Sequence, residues 1–381
     1  MTQQTQSSKI HGLSGIRTIA IAGVVLYHLF PDVLPGGFLG VNLFFVLSGY
    51  LIAVTNLRKA ETGTFSTLRF YKKRILRIYP ALILTVLISS FFAWIFSPAS
   101  LGGARKEVFS VLTGWDNIYQ IQKNASYFAR MSDRSLLTHL WSIAIELQFY
   151  LICPLLLLPS GRGKQSRKRT IAVLLILALI SALLEAVLWS ETSDPTPIYY
   201  GTPTRCYALF LGAAAGLSQP ERRPARRRRE AAPAFISALC FISALFLLLW
   251  LFFTADGTSA LTYRLYLPLS AILGLVLILT CENAHSAAAR VLSIPLLERP
   301  GNVSYEIYLM MYPVIVLTGA ATSTSPLKKI AAILLIGILT AFLHNVCRTL
   351  RMLSERNSEH TRRMKRIEKS EAWKLTNRLE Y

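Results

Sequence analysis

Gly15-Ile16-Arg17-Thr18-Ile19-Ala20-Ile21-Ala22-Gly23-Val24-Val25-Leu26-Tyr27-His28-Leu29-Phe30 is an apolar run that carries two ionisable side chains, Arg17 and His28. They are eleven positions apart. In a helix, at ~100° per residue, they return to within about 20° of one face, ~16 Å apart along the axis. An ionisable group inside a membrane helix is costly and marks a functional site by default. Two of them, one near each end, predict a site that reaches across much of a bilayer.

The rest of the chain fits a membrane setting. Of its 381 residues, 53% are apolar and 16% charged, where soluble domains carry roughly 25% charged residues. Further apolar runs recur at Val41–Val54, Ala81–Phe96, Leu136–Pro159, Ile171–Leu188, Phe235–Phe253, Leu267–Leu279, Val303–Leu317 and Ile330–Leu343, with a short Gly-rich run from Pro203 to Leu217. Each approaches the ~20 residues that cross hydrocarbon as a helix. The expectation is an all-α integral membrane protein of about ten transmembrane helices. Residues 1–12 form a polar N-terminal segment, 13–350 the ten-helix domain, and 351–381 a basic tail.

The formal charge of +21 is not a nucleic-acid signature, because the basic residues cluster in alternate short loops, as the positive-inside rule requires. These clusters are Arg58–Arg77, Arg162–Arg169 and Arg222–Arg229. The pattern places both termini in the cytoplasm, Arg17 near the inner end of its helix and His28 near the outer end. The first run has no cleavage site after it and is not a signal peptide. The five cysteines have no metal-ligand spacing and imply neither a metal site nor a disulfide framework.

Several side chains can carry chemistry. His28 is either a helix-end histidine bonded to a neighbour or a general base, since imidazole takes a proton near neutral pH. Arg17 either snorkels to the interface or clamps an anionic ligand. In the fourth span His139, Ser142, Glu146 and Tyr150 follow one another at steps of 3, 4 and 4 and share a helical face. Glu146 needs a partner or a proton at that depth; it pairs with Arg17 or Arg205, or lines a substrate cavity. Arg205 sits inside the short sixth span and holds Glu146, holds a substrate, or snorkels outward. Tyr308 lies deep in the ninth span, where its hydroxyl can reach a cavity, and Glu306 lies at the cytoplasmic entrance, open to solvation. The Arg69–Arg77 cluster reads first as a topology signal, and also suits a phosphorylated cytosolic donor.

These residues fall in blocks. Gly15-Ile16-Arg17 with Tyr27-His28, Gly40–Ile52, Arg74-Ile75-Leu76-Arg77-Ile78-Tyr79-Pro80, His139–Tyr150, and Ser304–Leu309 through Tyr312-Pro313 come in an order and spacing that resemble the membrane acyltransferase type 3 family, over nearly the full chain from Gly12 to about His344. The resemblance implies an O-acyltransferase, a cytosolic acyl-CoA donor (usually acetyl-CoA) and a hydroxyl acceptor at or beyond the membrane, on an exported or cell-surface saccharide or lipid-linked glycan. It implies His28 as the essential catalytic residue, acting as base or acyl relay; Glu146, from the reading of the fourth span, is the second catalytic candidate. By the same analogy Arg17, Arg74 and Arg77 would bind the CoA side; the residue reading leaves His139, Ser142, Tyr150, Arg205 and Tyr308 as candidates to line the substrate cavity. Ser14, Asn42, Leu147 and Met311 depart from the family pattern, where Asp, Asp, Glu and His are frequent. No fused extracytoplasmic transferase is expected from the short basic tail, so transfer is either direct or finished by a separate partner. The expected location is the bacterial cytoplasmic membrane. A non-enzymatic flippase for a lipid-linked glycan is the competing reading; it predicts movement of substrate without thioester cleavage.

Overall fold

A computed structural model describes residues 10–98, 104–123, 135–190, 194–219 and 234–379. The polar stretch Met1–Lys9 and the arginine run at 222–229 lie outside the described residues. In chain order the helices are α1 (Leu13–Leu29), α2 (Gly40–Glu61), α3 (Thr67–Phe96), α4 (Ala104–Thr113), α5 (Asp116–Gln122), α6 (Trp141–Ser160), α7 (Lys164–Leu188), α8 (Thr196–Tyr200), α9 (Thr202–Arg205), α10 (Tyr207–Ser218), α11 (Ala234–Thr254), α12 (Leu267–Thr280, entered through one π-helical turn), α13 (Ala287–Leu292), α14 (Pro295–Asn302), α15 (Ser304–Thr318) and α16 (Pro326–Leu379). Seven of them are long and apolar enough to cross a membrane, and α1, α10 and α15 are shorter apolar helices. The described residues are thus all-α, as expected of a multi-pass membrane protein, with seven helices of spanning length and three shorter apolar ones where about ten spans were expected.

The bundle has an inner and an outer set. Helices α1, α2, α10 and α15 bury most of their side chains. Helices α3, α7, α11 and α16 turn Leu87, Val187, Phe246 and Leu334 outward, each more than half exposed. That is the surface expected to meet lipid, since water would not tolerate such an apolar coat.

The central contact is α2 against α10. Small residues let membrane helices approach backbone to backbone, and α10 carries Gly212-Ala213-Ala214-Ala215-Gly216. A Cβ at Gly212 would lie 2.1 Å from the Val46 carbonyl oxygen, and one at Gly49 would lie 2.1 Å from that of Leu209. The inner end of α1 is tied to α14: the Ser14 hydroxyl donates to Asn302 Oδ1 at 2.8 Å, and that of Thr18 donates to the Leu297 carbonyl.

Two expectations change. The basic stretch from Arg69 to Arg77 is not a loop but the first turns of α3, capped by the Ser66 side chain; straight-chain basic residues are good helix formers, and the helix runs on through Pro80. The long connection from Ser97 to Ser135 contains a helical hairpin, α4–α5, whose turn residue Gly114 is buried against α6 while Trp115 beside it stays exposed. Gly114, at φ +80, makes the turn. Its carbonyl accepts from Gln148 Nε2 at 2.9 Å, halfway along α6, and the Leu112 carbonyl accepts from the Tyr79 hydroxyl at 2.9 Å. Irregular backbone is tolerated at this depth only when the protein satisfies it.

Candidate active site

A cavity of about 110 Å³ opens among α1, α2, α3, α6 and α15. Helix direction orders its wall. Taking as inner the end expected to face the cytoplasm, Arg17, Arg74, Arg77 and Ser304 come from the inner parts of their helices, Ser48, Glu146 and Tyr150 from nearer mid-helix, and Val41 and Ser142 from the outer ends, with Tyr308, one turn into α15, beside Ser142. Charge is therefore concentrated at the inner end, and apolar and hydroxyl groups at the outer end.

Three guanidiniums face one carboxylate. Among the described residues none of Arg17, Arg74 and Arg77 makes an ion pair, and Arg74 Nε has no hydrogen-bond partner. The Arg74 guanidinium instead lies over the rings of Phe70 and Tyr150, at 5.5 and 5.4 Å from their centroids. Glu146 Oε2 accepts from the Tyr150 hydroxyl at 2.8 Å, and that hydroxyl sits 2.6 Å from Ser48 Oγ. The hydrogen-bonded chain Ser48–Tyr150–Glu146 fixes the carboxylate against α2. Ser48 precedes Gly49, so the close α2–α10 contact also sets its position.

The outer end is shut by Tyr308. Its hydroxyl donates to the His139 carbonyl and lies 2.8 Å from Ser142 Oγ. Beyond it His28, only 2% exposed, packs edge-on against Tyr27 and Tyr312 at 5.1 and 5.2 Å. Tyr312 in turn stacks on His139 at 5.0 Å. His139 Nε2 lies 3.2 Å from the Leu309 carbonyl, which selects the tautomer protonated there. Its Nδ1, the remaining acceptor, has no partner among the described residues.

Of the residues singled out in the sequence, Arg17, Arg74, Arg77, Ser142, Glu146, Tyr150 and Tyr308 share the cavity. His28 and His139 lie one layer further out, at the level of Tyr312, and do not line it. His139 begins the 3-4-4 stripe but sits in a 3-10 turn before α6, so its ring departs from the α-helical register.

Arg205 is a correction. It reaches neither Glu146 nor the cavity, and it does not snorkel. Fully buried, it bonds Glu185 Oε1 at 3.1 Å and Asn42 Oδ1 at 2.6 Å, with its guanidinium 4.8 Å from the Tyr199 ring centroid. Asn42 Nδ2 continues to Tyr207, Ser270 and the Leu267 carbonyl. The carboxylate of Glu185 balances the guanidinium one to one, and asparagine at 42 extends the network without a second negative charge. Glu306 is also not solvated: it is 5% exposed and lies 3.2 Å from His344 Nδ1 on α16. Ser48 and Glu185 were missed by sequence reading, although a lone glutamate in the apolar α7 carries the same signal that drew attention to Glu146.

The fold and site define a multi-pass membrane protein with a cavity inside its helical bundle that carries three arginines and one glutamate. The acyltransferase domain family (Acyl_transf_3) matches residues 10–345, and the chain belongs to that family. Among curated relatives, it is 34% identical over 327 residues to the peptidoglycan O-acetyltransferase OatA of Listeria monocytogenes, covering 84% of this chain and 51% of that protein. It is 35% identical over 323 residues to the putative peptidoglycan O-acetyltransferase YrhL of Bacillus subtilis (84% and 50%), and 33% identical over 310 residues to the O-acetyltransferase OatA of Staphylococcus aureus (80% and 50%). The chain thus spans about half the length of these relatives. No solved structure matches it.

Proposed function

We propose that this protein is a membrane O-acyltransferase that moves an acyl group, acetyl in the first instance, from cytosolic acyl-CoA to a hydroxyl of a cell-wall saccharide. The observation that carries the reading is the excess of guanidinium over carboxylate at the inner end of a slot whose outer end is apolar. A charged group held away from water needs a partner, and a donor with phosphates at one end and an uncharged arm at the other supplies it. The names of the relatives favour a peptidoglycan hydroxyl as acceptor.

In this reading Arg17, Arg74 and Arg77 hold the phosphates, and the thioester lies toward Tyr308. His28 takes the proton of the acceptor hydroxyl as its oxygen attacks the thioester carbonyl. The carbon–sulfur bond breaks, and the CoA thiolate leaves with the proton that His28 took up, which returns the imidazole to its neutral form. Glu146, held by Tyr150 and Ser48, offsets part of the positive charge of the three guanidiniums at longer range. Full chain in liposomes should cleave acetyl-CoA in the presence of a saccharide acceptor, and His28→Ala should abolish cleavage without loss of folded protein. Substrate translocation with no thioester consumed would instead establish the flippase reading.

A further inference from the structure

Positive charge does not stop at the cavity wall. Arg69, Lys73 and Arg77 stand four residues apart on α3 and share a face, in steps of ~6 Å. Arg77 lines the cavity; Lys73 and Arg69 follow it toward the start of α3, both exposed. The turn between α2 and α3 brings a further cation to this column. Gly63, at φ +65, reverses the chain, and the backbone amides of Thr64 and Phe65 both donate to the Lys59 carbonyl at 2.9 Å. Lys59 is thereby set, half-buried at the end of α2, where Lys73, Arg74 and Arg69 all repel it. Its ammonium donates to a neutral acceptor, Asn56 Oδ1, at 3.3 Å. Among the described residues none of Lys59, Arg69 and Lys73 makes an ion pair, and Glu61, two residues on from Lys59, is taken by Arg167 at 2.9 Å.

We propose that Lys59, Arg69 and Lys73 form a second anion subsite, outside the cavity, that takes the 3′-phosphate of the donor's nucleotide. The assignment rests on the reading of the cavity as the donor site. That cavity, about 110 Å³, is well under the roughly 300–1,000 Å³ of a pocket that encloses a whole drug-sized ligand. It admits the arm of the donor, and the nucleotide lies outside it, along the α3 column that starts at Arg77. The diphosphate that carries the arm goes with Arg17, Arg74 and Arg77. The 3′-phosphate, on the other side of the ribose, is a monoester with a charge of about −1.5 to −2 at pH 7. Cations gathered with no carboxylate among them call for such a group; lysine meets it as a point charge, and arginine adds a bidentate fork. The positive-inside rule asks only for the number of basic residues in a connection. It gives no reason to fold a half-buried lysine against three other cations. The chemical class selected is the 3′-phosphorylated donor, CoA and its thioesters, over the 3′-dephospho form.

The test is binding of CoA and of 3′-dephospho-CoA to the full chain in nanodiscs, read as ligand-dependent thermal stabilisation. Wild type should bind CoA at least about tenfold more tightly, the size expected of hydrogen bonds to a charged group. Lys59→Gln and Lys73→Gln should each narrow that ratio, and the double variant should bring it close to unity. Lys168→Gln removes an equal charge from an exposed position at the inner end of α7 and should keep the wild-type ratio. Equal binding of the two ligands by wild type, or an unmoved ratio in the double variant, would overturn the subsite and leave the donor reading standing. A ratio that falls as far in Lys168→Gln would reduce the effect to the general field of the inner face, and would also overturn it. So would a preference that disappears once phosphatidylglycerol is added to the nanodiscs, because lipid headgroups would then be holding these cations. Binding of neither ligand would overturn the subsite and the donor reading together.

Discussion

Arg205 and Arg74 are both guanidiniums inside the helical bundle, and their neighbours put them to opposite uses. Arg205 is matched by Glu185 and Asn42 and sealed from water. Removing one partner of a buried pair strands the other charge, so Arg205→Ala should cost about 3–5 kcal/mol, seen as a large drop in unfolding temperature. A double exchange of Arg205 and Glu185 for apolar residues should recover much of it. Arg74 has no carboxylate partner, and its ring contacts leave its donors toward the cavity. Arg74→Ala should change stability little but raise the KM for acyl-CoA about tenfold or more, because hydrogen bonds to charged groups contribute about 1.5–3 kcal/mol. Steady-state kinetics with kcat and KM separated checks this. The sequence makes both arginines conspicuous for the same reason, their cost in lipid. It cannot sort them, because the sorting depends on which face of α7 and α2 meets α10, and side-chain spacing within one helix says nothing of that. The Arg17–His28 stripe was legible in the same partial way: both lie on the inner side of α1, yet a ring on another helix, Tyr308, divides them.

Elements carry the next level of cause. The Gly212-x-x-x-Gly216 spacing lets α10 lie on α2 with no room for a Cβ. Gly212→Leu should force the helices apart, destabilise by about 1–3 kcal/mol or more, and displace Ser48 from Tyr150. Loss of both activity and thermal stability is the expected outcome, whereas Gly337→Leu on α16, where a Cβ would meet nothing within 4 Å, serves as the silent control. The α4–α5 hairpin has a different sensitivity. Asp116 is buried beside Glu107, and the two share Gln120 Nε2 as donor at 3.2 and 2.9 Å. Burial first, and then the Glu107 carboxylate, push Asp116 well above the usual carboxylate range. Its folded form therefore keeps a proton that the unfolded chain releases near the ordinary value. Stability from this group is largest at acid pH and declines as pH rises from that ordinary value toward the raised one. Asp116→Asn should flatten the fall in unfolding temperature across that range. Ten apolar runs could be counted in the sequence because each is long and continuous. The hairpin could not, because its helices are short and polar, and its depth is set by Gln148 and Tyr79, residues with no distinctive pattern of their own.

At the scale of the molecule, the bundle is asymmetric across the membrane. Its end lined by Arg17, Arg74 and Arg77 is cationic. Its outer end is a packed layer in which Tyr308, Tyr312, His28 and His139 touch ring to ring. That layer is an electrical insulator. Moving one elementary charge through a membrane at 100 mV involves about 2.3 kcal/mol, but an acyl group carries no charge, and in the proposed reaction the donor phosphates would stay at the arginine end. In the proposed reaction the acyl group crosses outward and the proton of the acceptor hydroxyl ends on the CoA sulfur, so no net charge crosses and the energised membrane would neither drive nor resist the step. Turnover in liposomes should be unchanged by an imposed diffusion potential, and the same liposomes should remain proton-tight.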